Sequence, residues 1–400
     1  MNQSARTLRI VLTCVILLTT TGCWSNDEIE ELNLYVGLGM DVAQESKFEK
    51  QVNEQGGHYP KKKNMTITVQ ITPPSSGQKK NQNSSSPQGG KSYLNERLTG
   101  DSVVQILRQF ALRRERPLIG HHLKVIVLST ELAKKYNLEQ LLDYIMRDND
   151  IRPSCLILIS HGSAVEALSS SEPGEIPALY LTGLFDNHQL SNKILPAMSL
   201  VKLDGMMQSG SSFLLQNVIT AEGEHKFSGA GIFKGTSKKW IGSLNQTDLE
   251  GLSWITGKVR TGALKTYKPR TEDTITYEPK VTKSKITPIV RGDQISFHVE
   301  VASRGALIED WSSPQHTATE SYQDELEGYF EDTVREQIRQ VLYKMQESYH
   351  VDVAGFGEQL RIKHPRLWKK VEKNWDEAFS KANVTYDVKI NITNYGSSMR

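Results

Sequence analysis

Two short apolar runs, residues 124–128 (KVIVL) and 155–159 (CLILI), constrain this chain more than any other feature. Each is apolar at nearly every position, and each is only long enough for a strand buried in a sheet. Between them, a helical region opens at Ser129 and carries Leu138, Leu141, Leu142, Ile145 and Met146. A short helix around residues 164–168 follows the second run. Strand, helix, strand, helix in that order calls for a parallel or mixed sheet covered by helices. Upstream, 35–41 reads as a strand containing glycines, and 63–72 alternates Met65, Ile67, Val69 and Ile71 with polar neighbours, as a half-buried strand does. Residues 73–91 are Pro, Ser, Gly, Gln, Asn and Lys with almost nothing apolar, so they form a long polar loop that cannot offset its own ordering entropy. Asp101 is placed to cap the next helix, which carries Val103, Val104, Leu107, Phe110 and Ala111 and stops at Pro117.

A second unit begins near Leu200. Residues 213–220 and 226–233 read as strands joined by Glu222-Gly223-Glu224, and 240–244 as a third strand. Thr247 with Glu250 has capping-box spacing and opens a helix holding Leu249, Leu252, Trp254 and Ile255. Residues 265–273 read as a connector. In the third unit, 275–281, 285–290 and 295–301 alternate as antiparallel strands. Residues 319–347 then form the longest helical pattern in the chain. A corner at Gly355-Phe356-Gly357, a short helix holding Trp368 and Trp375, and a strand at 384–392 complete it. The expected class is α+β: three mixed α/β domains, at 23–199, 200–273 and 274–400, behind a leader at 1–22.

That leader has three parts: the cations Arg6 and Arg9, an apolar run at 10–18, and small residues leading to Gly22-Cys23. Nine apolar residues fall well short of the ~20 needed to span a bilayer, but they match a secretory leader. Gly22-Cys23 looks like a bacterial lipobox, in which the cysteine is acylated and becomes the first residue, although Thr20 stands where leucine is usual. Cysteine usage fits this, because Cys14 would leave with the leader and Cys155 would remain alone, unable to form an internal disulfide. A chain starting at Cys23 carries 46 residues of each charge sign. A balanced charge gives no electrostatic footprint for nucleic acid, and a mean hydropathy of −0.45 excludes a bundle of membrane spans.

Four separated blocks resemble the Ger(x)C family of bacterial spore germination lipoproteins. They are Gly22-Cys23-Trp24 with Glu28-Ile29 and 36–41 (VGLGMD); 120–126 (GHHLKVI) with Arg147-Asp148; 231–234 (GIFK) with 240–244 (WIGSL) and Gly251-Leu252; and 352–357 (DVAGFG) with Trp368, Trp375 and the closing strand. The resemblance implies the C subunit of a nutrient germinant receptor. It implies that Cys23 is an N-palmitoyl, S-diacylglycerol cysteine anchoring the chain at the outer face of the spore inner membrane, beside integral A and B subunits. It carries over no catalytic residue and no cofactor. The polar loop at 73–91 departs from the family pattern as a local insertion.

Enzyme motifs are absent from the sequence: no HExxH, Walker loop, GxSxG or CxxC occurs. His121-His122 is the most metal-like pair, but adjacent histidines project apart and no third ligand stands at zinc spacing. Both are expected at the start of a strand. Gly355 and Gly357 are expected at positive φ around a buried Phe356, Cys155 as a small buried hydrophobe, and Met206-Met207 as core filler. Trp368 and Trp375, seven apart, would share a helix face as core or as a candidate interface. The acidic stretch 27–31 reads as a solvated tether with no basic residue to attract anionic lipid. The expected function is therefore a non-enzymatic receptor subunit, and direct nutrient binding is left open. The alternative is an envelope lipoprotein acting as a solute-binding protein or hydrolase, with a deep cleft between domains.

Overall fold

The structure, a computed structural model, describes residues 32–72, 92–312 and 319–394. The polar stretch 73–91, the leader and Cys23 lie outside the described residues. The two apolar runs form the middle of a nine-stranded sheet made of β1 (Asn33–Val42), β2 (Met65–Thr72), β3 (Leu94–Gly100), β4 (Leu118–Ile119), β5 (Val125–Ser129), β6 (Leu156–Ser160), β7 (Phe213–Ala221), β8 (Glu224–Phe233) and β9 (Trp240–Leu244). Its order is β3-β2-β1-β5-β6-β7-β8-β9, with β4 beside the start of β1. Strands β1, β5, β6 and β7 run parallel, and antiparallel strands flank them.

Helices cover both faces of this sheet. They are α1 (Lys47–Glu54), α2 (Val103–Gln109), α3 (Thr130–Lys135), α4 (Leu138–Arg147), α5 (Ala164–Ala167), α6 (Pro177–Leu184) and α7 (Leu200–Ser209). Leu132, Leu141, Leu142 and Leu203 pack with Leu38, Met40, Ile126 and Ile157 on one face. Ala164, Leu168, Ala178 and Leu181 pack with Val36, Val125, Val127 and Leu158 on the other. Position 200 is the start of α7, and β7, β8 and β9, which follow it, join the same sheet as β1 to β6, so the boundary expected at 199/200 falls within one sheet.

Several local expectations change. β2 is buried on both faces rather than one, because its polar side finds partners inside. Gln70 donates to the Leu168 carbonyl at 2.6 Å and accepts from the Ala178 amide at 2.8 Å, and Thr66 meets Thr99 at 2.9 Å. The cap of α2 is Ser102, not Asp101, whose carboxylate instead accepts from the Lys62 amide. In α8 (Gln246–Thr256) the box is Asn245 with Asp248, two residues earlier than expected. Runs of Ser, Thr, Asn and Asp leave several oxygens able to cap, and tertiary packing selects one. The hairpin at Glu222-Gly223 is as expected, with φ of 53° and 83° at its two turn residues.

A second sheet holds β10 (Leu264–Tyr267), β11 (Thr274–Arg291), β12 (Gln294–Asp310) and β13 (Asn383–Asn394), in that order. The expected connector is partly β10, which pairs with the first residues of β11. The two strands expected at 275–290 are one continuous strand. Its polar middle pairs throughout with β12, Pro279 sits at a bulge, and Ser284 donates to the Ile255 carbonyl at 2.7 Å. β13 lies parallel to β12 at the sheet edge.

The longest helix, α9 (Glu320–Tyr343), begins at the Thr319 cap and passes into a π turn at Lys344–Ser348. Leu326, Phe330, Val334, Ile338, Val341 and Met345 are fully buried against the second sheet and α8. An adjacent ridge of polar side chains runs along the open edge of β13. Glu327 accepts from the Ile392 amide at 2.8 Å and Glu331 from the Ile390 amide at 3.1 Å. Gln323 donates to the Ile392 carbonyl at 2.8 Å, and Arg335 to the Val388 carbonyl at 3.2 Å. Four helical residues advance about 6 Å and two strand residues about 6.6 Å, so the two periods nearly coincide. α8 lies between the sheets: Leu249 and Ile255 pack with Ala230, Ile232 and Leu244 of the first sheet and with α9. Trp254 donates to Gln337 of α9 at 3.0 Å.

Removing the buried Glu327 carboxylate leaves the Ile392 amide without its acceptor. Glu327→Ala should therefore lower stability by about 2 kcal/mol, against less than about 0.5 kcal/mol for Asp324→Ala on the exposed face of the same helix. Urea unfolding of the two variants checks this, and equal midpoints would contradict it.

Candidate interface site

The chain turns sharply after α9, and one carboxylate organises the turn. His350 takes a φ of 49°, after which Asp352 accepts from the amides of Ala354 (3.0 Å), Gly355 (2.9 Å) and Gly357 (2.7 Å). A fourth donor is Trp375 Nε1, at 2.9 Å. Asp352 thus joins the start of α10 (Phe356–Lys363) to α12 (Trp375–Ser380), with α11 (Pro365–Val371) between them. Of the two glycines expected at positive φ, only Gly355 has it, at 87°. Gly357 is helical, and its constraint is space: a Cβ there would lie 2.5 Å from Trp375 Nε1. Phe356 is fully buried, with the Phe297 and Phe379 rings each 5.0 Å away.

Trp368 and Trp375 do not share a helix. The first lies on α11 and the second opens α12, after a turn of 3-10 helix at Glu372–Asn374. Their rings still meet at 5.3 Å. Trp375 is buried at 9% exposure and its N–H is used by Asp352, while Trp368 stays half-buried. The next residue, Asp376, links this corner to the first sheet. Its carboxylate accepts from the Asp352 amide at 3.2 Å and from the Ser212 hydroxyl at 2.8 Å, at the start of β7. Burial raises the Asp376 carboxyl above the ordinary aspartate range, opposed by those two bonds and by nearby Lys234. Neither Asp352 nor the Ser212–Asp376 link stood out in the sequence; the only trace was the block at 352–357.

The other candidates are dispersed. His121 faces Asp150 at 3.2 Å on the surface, and no group of three or more His, Cys, Asp or Glu positioned for a metal occurs among the described residues. Cys155 is buried, and burial pushes its thiol far up, away from the thiolate a nucleophile needs. Met207 is core, with Met206 packed against it. A groove of about 420 Å³ between β10 and α9 is lined by Thr266, Tyr267, Tyr329, Asp332 and Glu336. Its two carboxylates are held by Arg335 and Arg339 of the same helix. Buried Asp41, in the block at 36–41, accepts from the Ala164 and Val165 amides and so fixes α5.

Two outcomes follow for the corner. Asp352→Asn replaces an acceptor of four bonds with a group that is half donor. It should cost about 3 kcal/mol, read as a lowered urea midpoint with loss of the near-ultraviolet tryptophan signal. For Asp376 the folded carboxyl is raised, so its proton-linked contribution is complete below about pH 3.9 and is lost as pH rises through the folded value. The melting temperature of Asp376→Asn, relative to the parent chain, should therefore improve between pH 4 and pH 7. A pH-independent difference would contradict this.

With this geometry described, comparison with known proteins places the chain. Residues 25–219 match the family model for the spore germination protein N-terminal domain, and 228–396 match that for spore germination B3/GerAC like, C-terminal. Spore germination protein YndF of Bacillus subtilis is 44% identical over 97% of this chain and 96% of its own length. Spore germination protein B3 of the same organism is 29% identical over 96% of each chain. The crystal structure of the GerBC protein superposes with a TM-score of 0.60 at 28% identity, covering 82% of this chain and 94% of that one. The mixed sheets and helices of this chain agree with the α+β class expected from its sequence. The chain belongs to the Ger(x)C family of spore germination proteins.

Proposed function

We propose that this chain is a lipid-anchored, non-enzymatic subunit of a spore nutrient germinant receptor. On this reading it is held through Cys23 at the outer face of the spore inner membrane and docked onto integral A and B subunits. The observation that carries the reading is the end-to-end match to spore germination proteins, at 44% identity over 97% of the chain for one of them. Among the described residues no helix is long and apolar enough to cross a membrane; on this reading Cys23 supplies the attachment. One acyl chain holds weakly, whereas a diacylglyceryl cysteine with an N-acyl group brings several, each buried CH₂ contributing ~0.8 kcal/mol. Confinement at the bilayer then raises the effective concentration of integral partners without any added contact. The protein acts by holding or gating its complex, not by turning over a substrate.

The test is genetic. In a strain whose only nutrient receptor contains this chain, deletion should abolish germination by that nutrient and leave receptor-independent germination intact. Cys23→Ala should leave the melting temperature unchanged while reducing membrane retention and nutrient response together. Normal nutrient germination in the deletion strain would overturn the reading.

A further inference from the structure

Charge in this nearly neutral chain is unevenly distributed. Between Arg361 and Lys373 there are six Lys and Arg residues and a single acid, Glu372. Arg361 pairs with Glu358. Lys363, Arg366, Lys369, Lys370 and Lys373 are all exposed, and none has an ion pair among the described residues. Arg366, Lys369, Lys370 and Lys373 follow i, i+3, i+4, i+7 spacing, so α11 and the turn after it turn one basic face outward. Leu367, Trp368 and Val371 take the inner side, packed on the core. Beside the basic face, at the end of α10, Ile362 is 55% exposed.

The topology brings this face toward the chain's anchor. β1, β5, β6 and β7 are parallel, so the start of β7 lies at the same end of the sheet as Asn33, the start of β1. β7 pairs with β6 at Ile159 with Asn217 and Ser160 with Val218, while the segment at Ser199 and Leu200 takes the backbone of Cys155 and Leu156. Ser212, one residue before β7, holds α12 through Asp376. α12, and with it α11 through the contact of the Trp368 and Trp375 rings, is therefore held at the Asn33 end of the sheet. Cys23 is ten residues before Asn33, a reach of at most about 35 Å. The intervening stretch contains acids and no basic residue.

We infer that the basic face of α10 and α11, with Ile362, lies against the anionic phospholipid surface of the membrane that holds the anchor, and that it sets the orientation of the body. This rests on the Cys23 reading above. Ten residues of chain set the greatest distance from the anchor, and the five exposed cations at the Asn33 end of the sheet supply a torque toward an anionic surface. Each Lys or Arg close to an anionic leaflet strengthens association by about fivefold, an attraction that salt screens.

The test uses the full lipidated chain in vesicles, with an environment-sensitive dye at Ile362→Cys or, as a control at the opposite end of the sheet, at Glu224→Cys. Native Cys155 is buried and does not compete for label. In vesicles of phosphatidylcholine with phosphatidylglycerol, headgroup spin-labelled lipid should quench the dye at position 362 and leave that at 224 bright. Quenching should be lost in phosphatidylcholine alone, in molar salt, and when Lys363, Arg366, Lys369, Lys370 and Lys373 are changed to Glu. Those positions are exposed, and an unchanged melting temperature verifies the fold. Equal quenching in neutral and anionic vesicles, or none in either while the protein stays bound, overturns the inference and spares the anchor. Protection of position 362 only in membranes containing partner proteins would assign the face to an acidic protein and also overturn it. Failure of the protein to float with any vesicle would instead sink the Cys23 reading.

Discussion

Everything C-terminal to residue 274 depends on how α9 closes the edge of β13. An edge strand carries unpaired amides and carbonyls that cost free energy if buried and invite foreign strands if exposed. Here Gln323, Glu327, Glu331 and Arg335 supply acceptors and donors to Ile392, Ile390 and Val388. The match works because one ridge of a helix and one edge of a strand advance at nearly the same rate. The arrangement also fixes the rotation of α9. With the polar ridge on β13, the apolar stripe from Leu326 to Met345 must face the second sheet and α8.

That rotation links the two sheets. α8 rests on β8 and β9 on one side and on α9 on the other, and Gln337 of α9 accepts from Trp254 while donating to Glu250. Further along, the π turn delivers the chain to Asp352, whose four bonds hold the corner, and Asp376 returns the contact to Ser212 of the first sheet. The body is thus joined through a buried core at α8 and through a half-buried polar link at Asp376. Polar networks of this kind are costly when incomplete and rigidifying when satisfied. For a subunit proposed to act by docking rather than catalysis, rigidity has a use: a force or contact at one sheet reaches the other without being absorbed at a hinge.

The parts of the fold legible in the sequence were those with strong periodicity. The buried runs of β5 and β6, the hairpin of β7 and β8, and the apolar stripe of α9 all carry their pattern in consecutive residues. In sequence β11 reads as two strands because its middle, Lys283 to Lys285, is polar on both sides, and only its pairing with β12 makes it one. β2 looked half-buried because nothing in its residues says that Leu168 and Ala178 will cover Gln70. Trp368 and Trp375 read as a single helical face, since a heptad spacing cannot reveal the turn at Glu372–Asn374. The Asp352 and Asp376 links join residues up to 164 positions apart, and short-range pattern contains no such information. The likeness of Gly22-Cys23 to a lipobox, by contrast, lies in consecutive residues and needs no tertiary context to be read.

The central claim is that this rigid, two-sheet body is membrane-bound through the cysteine that follows Gly22. Mass spectrometry of the N-terminal peptide from protein extracted from spore membranes tests it most directly. The account predicts a peptide beginning at Cys23 that carries diacylglycerol on sulfur and palmitate on nitrogen. A free thiol at that position, or a peptide still continuous with residues 1–22, would contradict it.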